Sequence, residues 1–111
     1  MAYDEDLAHR VRELLVDERA VTEMKMFGGL AFLLSGNMSV AVSGQGGLLV
    51  RAAPDVAERA LASPHASPMV MRGREMKGWL RVDADGVKTK RQLSLWVRRG
   101  VEHARSLPAK G

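Results

Sequence analysis

A two-layer α+β domain, with helices packed on an antiparallel sheet, is the architecture this sequence encodes. Three observations carry that reading. Apolar residues recur at helical spacing near both ends of the chain, whereas the middle holds short apolar runs punctuated by glycine turns. A length of 111 residues, 46% apolar and 27% charged, suits one hydrophobic core and leaves no room for two. Cysteine is absent, so no disulfide or thiolate–metal staple supports the fold. Residues 1–111 are therefore read as a single domain, with its core over about residues 4–106.

The first element is a helix. Asp4 suits an N-cap, with Glu5 and Asp6 in the first turn, where the helix dipole favours carboxylates. Leu7, Val11, Leu14 and Leu15 form its apolar stripe, and it should fade near Arg19, before the β-branched pair Val21-Thr22. Three strands follow. Leu30 to Leu34 is the first, Ser35-Gly36-Asn37 a turn, and the alternation of Met38, Val40 and Val42 with Ser39, Ala41 and Ser43 the second, read as half-buried. A glycine-rich turn then leads into Leu48-Leu49-Val50-Arg51, completing an antiparallel meander.

Pro54 opens a short helix with Val56, Ala57, Ala60 and Leu61 facing inward. Two prolines and two serines between Ser63 and Pro68 read as a surface loop. Met69-Val70-Met71 and Trp79-Leu80-Arg81-Val82 are two further strands, with the charged stretch Arg72 to Gly78 between them. Thr89 and Gln92 are spaced as a capping box for a last helix, along which Leu93, Trp96, Val97, Val101 and Ala104 fall on one face. Pro108 prevents its continuation. The predicted order is α-β-β-β-α-β-β-α.

Few chemistries fit these residues. His9, His65 and His103 are scattered over three elements, and no H-E-x-x-H, H-x-E or G-x-S-x-G pattern occurs. Gly44-Gln45-Gly46-Gly47 lacks phosphate-loop spacing and runs into a strand, not a helix N-terminus. The expectation is a protein with no catalytic residue, no metal and no cofactor. Its longest apolar run, Leu30 to Leu34, is far short of the ~20 residues that span a bilayer, and the acidic N-terminus has no signal-peptide core. No membrane partner and a cytoplasmic location are therefore expected.

Charge is distributed unevenly. Residues 1–71 carry a net −3 and residues 72–111 a net +7. Within the basic half, Arg72, Arg74, Lys77 and Trp79 supply cations and an indole in eight residues, and Arg98 and Arg99 of the last helix are further candidates for a nucleic-acid or partner face. The competing reading makes Trp79 a core anchor and the cations a solvated surface. Met26, Met38 and Met71 are read as core, since methionine fills irregular gaps, although an exposed methionine cluster would mark a binding surface.

The sequence Met26-Phe27-Gly28-Gly29, followed by an apolar strand, Gly36-Asn37-Met38, Gly46 to Arg51, Gly78 to Val82 and a final Leu93-x-x-Trp96, resembles the TfoX/Sxy N-terminal domain family over roughly residues 7–105. The resemblance implies a two-layer α+β sandwich similar to secretion-chaperone domains. It also implies a stand-alone version of a domain to which the family's longer members, regulators of DNA-uptake competence and transcription, append a helical C-terminal domain. The family supplies no catalytic residues, and Met26-Phe27-Gly28-Gly29 is read as a structural signature, with glycines permitting a bulge or close backbone approach. The functional expectation is a non-enzymatic regulatory or adaptor domain that binds a protein partner, with a homodimer as one form. The alternative is a small nucleic-acid-binding module that uses the basic half.

Overall fold

The computed structural model of the protein describes residues 3–26 and 28–108. Helix α1 (Glu5–Leu14) is capped by Asp4, whose side chain accepts from the Leu7 N–H at 3.1 Å. Leu7, Ala8 and Val11 are its buried stripe. The helix ends at Leu14, well before Arg19, and the chain then turns through Ala20 at positive φ into an additional strand, β1 (Val21–Met26). That strand precedes the expected three: β2 (Gly29–Leu34), β3 (Asn37–Val42) and β4 (Leu48–Arg51).

Pro54 opens α2 (Pro54–Ala60). Ala57 and Ala60 face inward as expected, but Leu61, the helical C-cap residue, is exposed and lines a cleft beside β6. The stretch expected to be a loop instead starts β5 (Ala66–Met71), which returns through a two-residue turn to β6 (Arg74–Val82). The charged segment Arg72 to Gly78 is therefore mostly strand. Arg72 and Gly73 both take positive φ, the type I′ geometry that matches the twist of a hairpin. Pro68 is tolerated within β5 because that strand lies at a sheet edge, where a missing N–H costs no ladder bond.

After a 3₁₀ turn (Ala84–Val87), Thr89 and Gln92 form the predicted capping box of α3 (Lys90–Ser106). The Gln92 N–H donates to Thr89 Oγ1 and the Thr89 N–H to Gln92 Oε1, each at 3.1 Å. Asn37 Nδ2 donates to the Pro108 carbonyl at 2.9 Å and ties down the chain beyond the helix.

All strand pairs are antiparallel, in the order β1-β2-β3-β4-β6-β5. The helices share one face of this sheet, where Leu7, Val11, Leu93, Trp96 and Val97 pack on Phe32, Val40, Val50 and Leu80. The opposite face carries a second apolar cluster to which no helix contributes, built on Ala31, Met38, Ala41, Leu49 and Met69. The central strands are thus buried on both sides, and β3 is not the half-buried strand that its alternation suggested. A bulge adds a second departure from simple alternation. The pairing shifts by one residue between Phe32 and Leu33, and Ser39 is the extra residue, its hydroxyl donating to the Phe32 carbonyl at 2.8 Å. Beyond the bulge the faces exchange, so Met38 and Val40 lie on opposite sides of the sheet.

Candidate functional site

The helix-free face is assembled strand by strand. Met24 pairs with Ala31 across β1 and β2, which puts both on this side, with Met26 at the margin. Ala31 and Ala41 form a fully buried floor with Leu49, and Met38 and Met69 are nearly as enclosed. Leu33, Met71 and Trp79 are half-buried around them. Five methionines, Met24, Met26, Met38, Met69 and Met71, thereby converge on one sheet face. Met38 and Met69 are enclosed, whereas Met24, Met26 and Met71 reach solvent along the margin, where unbranched, polarisable side chains repack readily. Met24, at 52% exposure, is its most open member.

Two cations border the face. The Arg51 guanidinium lies over the Trp79 ring, 5.6 Å from its centroid, and Arg81, opposite Leu49 in the register, donates to Ser43 Oγ at 3.3 Å. Trp79 also lines a cleft of about 450 Å³ between α2 and β6, along with Pro54, Leu61, Pro68, Met76 and Lys77. Glu58 and Glu75 share that lining, so the cleft is mixed in charge.

The candidate residues from the sequence are partly brought together. Lys77 and Trp79 meet in the cleft, and Arg72 and Arg74 stand exposed at the β5–β6 turn and just beyond it. Arg98 and Arg99 belong to α3, on the opposite side of the sheet from Trp79's cluster. Arg99 lies over the Trp96 ring at 4.6 Å, while Arg98 lines the groove between α1 and α3 beside Glu18 and Glu102. Of the family signature, Met26 packs at the edge of the second cluster and Phe27 lies outside the described residues. Gly28 adopts φ +73°, and a Cβ on Gly29 would come within 1.9 Å of the Val42 carbonyl oxygen. Gly28 therefore serves the turn and Gly29 the approach of β2 to β3.

Several polar contacts had no sequence signal, because their partners are far apart in the chain. Arg12 grips Glu23 with two hydrogen bonds, at 2.6 and 2.8 Å, which lowers the Glu23 carboxyl pKa and raises that of Arg12. Arg105 pairs with Glu18 and its pKa rises through that hydrogen bond. His65 Nδ1 stands 3.0 Å from Asp83 Oδ1, and the same carboxylate oxygen accepts from the Gly86 N–H at 2.9 Å, so the pair braces the start of the 3₁₀ turn. Among the described residues, no group of three or more His, Asp or Glu is arranged to hold a metal ion, and no helix is long and apolar enough to cross a membrane.

The second apolar face did have a signal. Leu30 to Leu34 is apolar at every position and does not alternate, the pattern of a strand covered on both sides.

Comparison with known protein families matches residues 13–104 to the family described as TfoX N-terminal domain, a span running from the last turn of α1 almost to the end of α3. No curated protein and no solved structure matches the chain.

Proposed function

Because this chain belongs to the TfoX N-terminal domain family, we propose that it is a non-enzymatic regulatory adaptor, acting in the cytoplasm by binding a protein partner. Competence and transcription regulation of the TfoX/Sxy kind are the processes in which such a domain would serve. The observation that supports this reading is the methionine-lined sheet face, which carries an open apolar side chain at Met24 and no helix above it. A protein adaptor needs adaptable apolar surface, whereas a polyanion site needs cations gathered on one side. The candidate cations are instead divided between the β5–β6 hairpin and α3.

The test pairs two measurements. Immobilised protein should retain a protein partner from native extract at both low and high salt, and Met71→Glu should release it while leaving the fold intact. In parallel, duplex and single-stranded oligonucleotides should show no binding tighter than ~100 μM at low salt, since even non-specific binders reach 10⁻⁴–10⁻⁶ M at physiological salt. Binding that falls with a log–log salt slope near −0.9 per phosphate contacted, and that is lost in Arg72→Glu/Arg74→Glu, would replace the adaptor with a nucleic-acid module.

A further inference from the structure

The two edges of the sheet are unlike. β5 is blunted: Pro68 offers no N–H, and its pairing with β6 is broken by a register shift between Pro68 and Val70. β1 has neither device. It pairs in unbroken register with β2 from Val21 to Met26, and Thr22 to Lys25 are all exposed.

The backbone groups that β1 leaves open follow from one hydrogen bond. The Ser35 N–H donates to the Ala20 carbonyl at 3.0 Å, which makes residues 20 and 35 a hydrogen-bonded pair of the ladder. Antiparallel pairs alternate, so Thr22, Met24 and Met26 turn their N–H and C=O groups toward β2. Val21, Glu23 and Lys25 turn theirs outward, to the free edge.

Side-chain charge then selects what can pair there. An antiparallel strand added to this edge must place its own outward-directed residues opposite Val21, Glu23 and Lys25. For a second copy of β1, two registers keep five of its six residues overlapped. One sets Glu23 against Glu23, and like charges directly opposite are unfavourable. The other sets each Glu23 against the other copy's Lys25, with Met24 beside Met24 on the axis. Lysine on an edge strand ordinarily discourages pairing; here its alternation with Glu23 disfavours the first register and favours the second. Arg12 occupies two of the four acceptor sites of the Glu23 carboxylate, leaving capacity for a lysine across the edge.

We infer that β1 is a self-pairing edge, at which two copies of this chain join β1 to β1 antiparallel about a two-fold axis at Met24. The two six-stranded sheets become one continuous sheet, and each Glu23–Lys25 pair exchanges both of its backbone hydrogen bonds. Thr22, Met24 and Met26 of each copy meet on the helix-free side, so the two methionine faces run together. The contact is small, below the ~1,200 Å² of a standard interface, so the dimer dissociates on dilution. The inference stands apart from the adaptor reading, because it concerns the edge of β1 and not what the sheet face binds.

Sedimentation of the purified chain over a concentration series reaching ~1 mM, with amide exchange followed at both ends, tests it. A reversible dimer is expected, with the Glu23 and Lys25 amides protected at high concentration and open at low. Lys25→Pro removes an outward N–H that serves no bond within the monomer, and should leave a folded monomer. Lys25→Glu should weaken the dimer roughly tenfold or more, because it sets like charges directly opposite at both symmetry-related pairs. A monomer throughout the series overturns the inference. So does a dimer in which those two amides stay open, or one that Lys25→Pro leaves intact. Protection of the same amides only when another protein is added would assign the edge to that protein's strand instead.

Discussion

Replacing Gly100 with alanine tests how closely α3 is seated on the sheet, because two effects of opposite sign compete at that position. In an exposed helix interior the change stabilises by roughly 0.5–1 kcal/mol, through lower backbone entropy in the unfolded chain. Here the added Cβ would lie 2.4 Å from the Ser39 carbonyl oxygen, 2.9 Å from its carbon and 2.9 Å from Val40 Cγ1. Two of those atoms are backbone of a buried central strand and cannot swing aside. The helix must therefore withdraw from β3 by about 1 Å, and a gap of that size forfeits a quarter to a half of each dispersion contact it opens. Leu93, Trp96 and Val97 all lose contact together. Overpacking of this kind costs about 1–3 kcal/mol. With rigid neighbours the upper end applies, leaving a net loss of about 2 kcal/mol after the helical gain. For a chain of 111 residues that lowers Tm by roughly 9 °C. Urea unfolding followed by circular dichroism, with calorimetry alongside, gives both numbers. A raised Tm would refute the reasoning, since only a helix standing clear of Ser39 could keep the propensity gain.

Trp96→Ala should cost about 3–5 kcal/mol in the same urea assay, because the ring is 4% exposed and helps fill the space between α3 and the sheet; an unchanged midpoint would show that the stripe is not buried. His103 has its pKa lowered, first by burial and then by the charge of Arg51. The folded state therefore binds fewer protons than the unfolded one, and stability should fall as pH drops from about 6.5 toward the lower folded-state value. His103→Gln should flatten that part of the pH–stability profile, and an identical slope in the variant would contradict the assignment.

The parts of the fold that were legible in the sequence rest on local chemistry. The Asp4 cap, the Thr89–Gln92 box and the α3 stripe each involve residues three or four apart, and each appears in the structure where the spacing placed it. The Arg72-Gly73 turn was hidden for a related reason. Its strands are rich in charge, so a positive-φ pair inside a polar run looked like one long loop. β1 was missed because four of its six residues are exposed and its apolar residues do not alternate clearly with polar ones; it is a strand because β2 hydrogen-bonds to it.

The candidate site was less legible than the fold, and Ser39 shows why. Read at a strict period of two, Met38, Val40 and Val42 share a face, and Met26, Met38 and Met71 are all assigned to the core. The bulge at Ser39 breaks that parity. It sends Met38 to the helix-free side while Val40 and Val42 stay beneath the helices. Nothing in a serine between two apolar residues announces this, since the hydroxyl's partner is the Phe32 carbonyl on the neighbouring strand. One inserted residue thus moves Met38 from the side of Val40 and Val42 to the side of Ala41. It also completes the methionine face on which the adaptor reading rests. Sequence periodicity can report that a strand is apolar throughout, but which of its side chains belong to the core and which to a surface depends on the partner strand.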